Sequence, residues 1–417
     1  MTRADGGTVT EAEGTVTETG GSGGTVTRVR LPSGELRLAL HGGPPSVAGR
    51  DGAVPDGTAG SAWPLERLLG FGVRRNPKRG YLLVSRVLGK HVPVSPLTVR
   101  EAHRALAAQL PQGLPGPVLV VGLAETATAL GEGVAREWAR LSCRDDVTYL
   151  HTTRYHLRSP LALEFQEPHS HASGHLLYRP VRERDARHFG QAGTLVLVDD
   201  ELSTGTTLEN LACAYRALNP ALREVVLVSL TDLCPRHAQV QAAVGVPVRS
   251  VSLLSGALEF EADAAYRPPV LPPVVGDGGD RTDLLAPRGA RTGEDVSDSP
   301  LLSEALAGLL GLPVGARVLV LGTGEFQYLP YLLALRVQEA RPDLVVRHSA
   351  TTRSPVTVWG EIGSALEFTD NYRDGIPNFV YNVTAGAFDH ILVGYEGHAH
   401  PDPALLDALN ATAVRLA

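Results

Sequence analysis

The stretch TLVLVDDELSTGTTLEN, residues 194–210, constrains this chain more than any other. Its first five residues carry no charge and no alternation of polar with apolar, the pattern of a strand covered on both faces. Such strands sit in parallel sheets, whose crossover connections are long enough to hold a helix. The same pattern recurs nearby: strand-like runs at 118–121, 147–152 and 225–230 are separated by helix-like stretches at 128–141 and 207–218. The alternation predicts an α/β fold, a parallel sheet flanked by helices. Ligands of such sheets bind at the carboxyl ends of the strands, so the loops after Val121, Thr153 and Val198 are expected to converge.

Two weakly apolar regions divide the 417 residues. Residues 1–60 are rich in Gly and Thr and too poor in apolar groups to offset the entropy of ordering, and are expected to be a disordered leader with one short strand near 35–40. Residues 266–300 are rich in Pro, Gly and Asp and read as a linker. A first domain at 61–265 and a smaller second one at 301–417 follow. The second repeats motifs of the first at an offset of 200: VLVVGLAET at 118 matches VLVLGTGEF at 318, and each is followed by a helical stretch and then TTR, at 152–154 and 351–353. The second domain therefore reads as a degenerate repeat, without an acidic pair or Thr-Gly-Thr-Thr turn after its third strand, DHILVGYEGHAH.

A net charge of -7 with dispersed basic residues gives no footprint for nucleic acid. No apolar run reaches the roughly 18 residues of a membrane span, and the first residues lack a basic-then-apolar pattern. The three cysteines, Cys143, Cys213 and Cys234, are far apart and form no C-x-x-C pair. A reducing cytoplasm is the expected compartment, and small molecules are the expected partners.

Within 194–210 each part has a chemistry. Ser203, Thr204, Gly205, Thr206 and Thr207 present backbone N–H groups and hydroxyls at a helix start, a cradle for a phosphate. Asp199 and Asp200 would repel a polyphosphate there but are strong acceptors for sugar hydroxyls. A ribose 5-phosphate fits both requirements.

VLVDDELSTGTT resembles the 5-phosphoribosyl-1-pyrophosphate loop of type I phosphoribosyltransferases. Together with NPKRGYLLVSRVLGKHVPV (76–94), FQEPHSHASGH (165–175) and TTRSP (351–355), it is similar more narrowly to the phosphoribosyltransferases with a C-terminal TRSP domain, found in bacterial gene clusters linked to tellurium resistance and stress. The resemblance spans 61–417. It implies a sugar-pyrophosphate donor with Mg²⁺ bound to it, and no metal held by the protein alone. It also implies a pyrophosphate loop at Gly122, Leu123, Ala124, Glu125 and Thr126, although Glu125 is an odd neighbour for an anion.

Further roles follow from the same resemblance. Arg154 is placed to reach a phosphate oxygen. The long insertion 155–178, with Glu167, His169, His171 and His175, is expected to be a mobile lid over the leaving group rather than a zinc site. The two lysines of the chain, Lys78 and Lys90, lie with Arg79 in the place of an acceptor-binding hood and suit an anionic acceptor. Thr351, Thr352, Arg353 and Ser354 offer a second candidate anion site. A homodimer is compatible with all of this. The expected activity is transfer of a phosphoribosyl group to an unnamed base, catalysed through Asp199 and Asp200. The alternatives are a non-catalytic sensor of the same donor and a ribose-phosphate diphosphokinase.

Overall fold

Burial sorts the central residues by parity. The computed structural model describes residues 9–12, 15–19, 25–41, 63–76, 79–166, 174–267 and 279–417. Five parallel strands form the heart of the first half: β1 (Val118–Gly122), β2 (Val147–His151), β3 (Thr194–Leu202), β4 (Glu224–Asp232) and β5 (Val248–Ala262), in the order β2-β1-β3-β4-β5. Val118, Val120, Val196, Val198, Val226 and Val228 face one layer, where they meet Leu106, Leu130, Val134 and Trp138. Leu119, Val121, Leu195, Leu197, Val225 and Leu227 face the other, against Leu208, Leu211 and Tyr215. Period-two sidedness with apolar residues at every position is what the uninterrupted runs require.

Helices α1 (Pro96–Gln109) and α2 (Thr128–Ser142) cover the first face and α3 (Thr206–Leu218) covers the second. In α3 the buried residues Leu208, Leu211, Ala212 and Tyr215 recur at helical spacing, so one stripe seals the sheet. Each fully buried Leu or Val in such a layer stabilises the fold by roughly 1.5–3 kcal/mol.

The second half has β6 (Arg317–Gly322), β7 (Val345–Ala350), β8 (His390–Tyr395) and β9 (Thr412–Arg415) in the parallel order β7-β6-β8-β9, with α4 (Tyr328–Ala340) on one face. The order matches β2-β1-β3-β4, and the repetition extends to hydrogen bonds. Thr152 Oγ1 accepts the Ala124 N–H at 2.9 Å, and Thr351 Oγ1 accepts the Gly324 N–H at 3.0 Å. The Tyr178 hydroxyl accepts the Leu157 N–H at 2.8 Å, and the Tyr381 hydroxyl accepts the Val356 N–H at 2.8 Å. Apolar strands alone do not reproduce such details.

Three expectations need correction. The leader is not structureless from Thr25 on: strands Thr25–Leu31 and Gly34–Leu40 form a hairpin whose second strand pairs antiparallel with β5, and strands Thr15–Thr19 and Val9–Ala12 continue the sheet beyond it. Val29, Leu31, Leu36 and Leu38 are buried in this hairpin, an alternation that Gly-rich surroundings concealed. The linker, where described from Gly279 on, is packed: Leu284, Leu285, Arg281 and Arg291 are buried, with Arg281 Nη2 2.7 Å from Asp374 Oδ1, and helix Pro300–Leu310 begins inside it. The insertion at 155–178 holds a hairpin, Leu161–Gln166 against Gly174–Tyr178, drawn in by Phe165, Leu176 and Leu177.

The halves pack through α4 against α1 and α2. His103 of α1 and His348 of β7 both face the Tyr331 ring of α4, at centroid distances of 5.2 and 5.9 Å. No helix among the described residues is long and apolar enough to cross a membrane.

Burial pushes His103 and His151 down to about 3 and His348 down to about 4, helped by the His348 charge on His103 and the Arg291 charge on His151. The unfolded chain therefore binds protons below pH 6.5 that the folded chain refuses, so stability falls as pH falls, by up to roughly 1.4 kcal/mol per pH unit for each ring. His91 is pushed down by burial in the same way, whereas Glu132, raised to about 7 by burial, and His237, raised by its bond to Asp232, act in the opposite direction and offset only part of the loss. The melting temperature is expected to drop steadily across that range; a flat profile would contradict buried neutral rings.

Candidate active site

β3 runs four residues past the expected strand end, carrying Asp199, Asp200 and Glu201 in register with β4, with Asp199 opposite Ser229 and Glu201 opposite Thr231. The Asp200 N–H donates to Asp199 Oδ1 at 2.9 Å, which fixes the angle between the two acids. Ser203, Thr204, Gly205, Thr206 and Thr207 then turn the chain into α3. Gly205 has φ of 74°, left-handed backbone that a side chain disfavours, and a Cβ there would sit 3.2 Å from Cys234 Sγ and from Val240 Cγ2. Thr204 Oγ1 donates to Thr206 Oγ1 at 3.2 Å. The first N–H groups of α3 have no acceptor within the helix, so the turn can receive an anion.

Beside it lies the loop after β1. Gly122 is opposite Val198, and the Leu123 N–H donates to the Val198 carbonyl at 2.9 Å, so loop 122–126 and the acidic pair are neighbours. A Cβ at Gly122 would lie 2.5 Å from the Tyr149 hydroxyl oxygen and 2.6 Å from the Ala127 carbonyl oxygen; only glycine lets the loop fold back onto the start of α2. Leu123 and Ala124 are buried, Thr126 is partly exposed, and Lys90 Nζ donates to Thr126 Oγ1.

The hairpin Leu69–Arg74 and Tyr81–Ser85 roofs the site. Arg79 bridges from it to Glu201 and lies 5.1 Å over the Tyr81 ring. Burial, reinforced by the Arg79 charge, lowers the Arg74 guanidinium from its ordinary range, while Glu201 and Asp200 oppose that shift. Lys78 lies outside the described residues, as do Glu167, His169 and His171. His175 is a core residue, 4.9 Å from Phe165 in a stacked pair and 3.1 Å from Thr152 Oγ1.

Arg154 is tied to the second half and to the insertion hairpin. Its N–H donates to Glu325 Oε1 at 2.8 Å and its Nη1 reaches the Gly174 carbonyl at 3.5 Å. At the second candidate anion site Thr351 and Thr352 are buried, their hydroxyls accept the N–H groups of Gly324 and Ser354, and Arg353 faces Glu125 of the first half. Two participants escaped the sequence. Arg236 donates to Thr206 Oγ1 at 3.1 Å on the rim of the phosphate turn, and nothing in its own neighbourhood signalled this. Strand Val356–Thr357 of the second half pairs with Leu69–Arg74, so the roof is built from both halves.

Residues 68–257 match the family model described as "Phosphoribosyl transferase", and residues 289–409 match the one described as "TRSP domain C terminus to PRTase_2". No curated protein matches the chain. Among solved structures, the adenine phosphoribosyltransferase of Saccharomyces cerevisiae is 14% identical, with 38% of this chain and 78% of that one covered and a TM-score of 0.26. That of Trypanosoma brucei, in complex with AMP, pyrophosphate and ribose-5-phosphate, is 13% identical over 45% and 76%, with a TM-score of 0.30. A hypoxanthine phosphoribosyltransferase of Staphylococcus aureus is 15% identical over 35% and 68%, with a TM-score of 0.23. Nothing about the residues of this chain follows from likeness at that level.

The turn gives a direct test of its backbone. Gly205→Ala is expected to cost about 1–2 kcal/mol, because an L-residue is forced into left-handed geometry. An unchanged urea midpoint would show that the turn relaxes freely.

Proposed function

Since the chain belongs to the phosphoribosyl transferases that carry a TRSP domain on their C-terminal side, we propose that it transfers a phosphoribosyl group from 5-phosphoribosyl-1-pyrophosphate to a base-like acceptor. One observation carries the proposal: a single stretch of β3 delivers two adjacent carboxylates and a phosphate-accepting turn directly beside loop 122–126.

The acceptor nitrogen forms a bond to ribose C1 as the C1–O bond to pyrophosphate breaks, the electron pair leaves with pyrophosphate, and the acceptor proton passes to solvent. Asp199 and Asp200 hold the ribose hydroxyls and balance the positive charge that grows on the ring. Ser203 to Thr207 anchor the 5-phosphate, and loop 122–126 receives the departing pyrophosphate with Lys90 beside it. Among the described residues no three His, Cys, Asp or Glu converge to hold a metal. Bound together with the donor beside loop 122–126, Mg²⁺ would supply charge neutralisation for the leaving pyrophosphate. Arg79 pairs with Glu201 and shapes the roof, and Arg74, in the field of Glu201 and Asp200, adds a cation there toward an anionic acceptor.

Release of pyrophosphate from the donor, measured against a panel of nitrogenous bases with and without ATP, tests the proposal. Acceptor-dependent release without ATP supports a transferase. Tight donor binding with no release supports a sensor, and production of the donor from ribose 5-phosphate and ATP supports a diphosphokinase. Asp199→Asn with Asp200→Asn is expected to lower release at least about 100-fold with an unchanged circular dichroism spectrum. Retained release would place the chemistry elsewhere.

A further inference from the structure

A carboxylate on a loop that receives pyrophosphate needs a counter-charge, and the structure supplies one from the other half of the chain. Arg353 Nε lies 3.4 Å from Glu125 Oε2, with the two side chains only 13% and 9% exposed. The contact is single-pronged. Glu125 Oε1 and Arg353 Nη2 are both buried with no hydrogen-bond partner. Asp374, 3.6 Å away, and the Tyr155 ring at 5.3 Å hold the guanidinium from behind.

The equivalent residue of the second half behaves differently. Glu325, 200 positions on, accepts the Thr153 hydroxyl at 2.6 Å, the Arg154 N–H at 2.8 Å and Arg291 Nε at 3.3 Å, and its side chain is fully buried. Backbone contacts are shared between the copies: Thr128 Oγ1 donates to the Glu325 carbonyl at 2.9 Å, and Gln327 Nε2 donates to the Glu125 carbonyl at 3.0 Å. Glu325 is thus a saturated anchor, whereas Glu125 keeps an unspent oxygen on the loop beside the acidic pair. A purely structural tie would be expected to use both prongs, as Arg281 does with Asp374 through Nε and Nη2 at 2.9 and 2.7 Å.

We propose that Arg353 of the TRSP half is a positioning residue for the pyrophosphate subsite, neutralising Glu125 so that loop 122–126 accepts an anion. This rests on loop 122–126 being the pyrophosphate loop. It gives the second half a task in the first half's site: it contributes charge, although its own copy of the site is shut.

The test is calorimetric titration of inorganic pyrophosphate, with magnesium, into the full-length protein and three variants, each with its melting temperature. Arg353→Gln is expected to weaken binding about tenfold or more, since it leaves an unpaired carboxylate at the subsite. Glu125→Gln is expected to bind more tightly than the wild type, because the loop gains one net positive charge. The double variant is expected to recover most of the affinity lost in Arg353→Gln. A structural tie predicts something else: both single variants lose affinity and stability alike. That result, or wild-type affinity in Arg353→Gln, or a double variant no better than Arg353→Gln, would overturn the proposal. If Arg353→Gln does not fold, Glu125→Gln decides: a gain in affinity supports the proposal and the absence of a gain overturns it. Failure of the wild type to bind pyrophosphate would remove the assignment of the loop itself, and the proposal with it.

Discussion

A buried guanidinium between two buried carboxylates anchors the second half, and one of those carboxylates reaches across to the first. Arg291 lies 3.3 Å from Glu325 and 2.9 Å from Glu396, and all three side chains are at most 9% exposed. Burial opposes the Arg291 charge, but the two acids more than restore it and hold the guanidinium above its ordinary range. Removal of the arginine would strand two carboxylates out of water, a change that typically costs about 3–5 kcal/mol. Through Glu325 the same cluster fixes Thr153 and the backbone of Arg154, and so the end of β2 next to the site.

The same cluster fills the matching position of the second half. β8 aligns on β6 with Ile391 opposite Leu319, as β3 aligns on β1 with Leu195 opposite Leu119. Five residues on, Glu396 occupies the place of Asp200. Arg291 and the Tyr372 hydroxyl, 3.3 Å away, have captured it. Where Asp199 would stand is Tyr395, and Ala399-His400-Pro401-Asp402-Pro403 falls at the place of the phosphate turn. The second half keeps the frame of the repeat but lends its residues to packing, to the roof strand Val356–Thr357 and to the pair between Arg353 and Glu125.

Sequence reasoning reached the features that local chemistry determines. The run 194–198 announced a strand covered on both faces, Ser203 to Thr207 announced a turn at a helix start, and the spaced TTR motifs announced the duplication. It missed what depends on distant partners. The hairpin at 25–40 looked like low-complexity leader because its alternating Val and Leu are buried only in a core shared with Trp63, Leu68 and Val73, and its second strand pairs with β5, more than 200 residues on. Residues 279–300 looked like a linker because Arg281 and Arg291 read as solvated charges until Asp374, Glu325 and Glu396 are brought to them. Glu125 looked misplaced for a similar reason: its counter-ion is 228 residues away in sequence.

A duplicated unit with a single acidic pair implies a single donor site per chain. The most direct measurement is the number of 5-phosphoribosyl-1-pyrophosphate molecules bound per chain at saturation, by calorimetry or equilibrium dialysis with magnesium. The account predicts one, held by the half that carries Asp199 and Asp200. Two would show that the second half still binds the donor despite Arg291, and none would remove the donor from the account altogether.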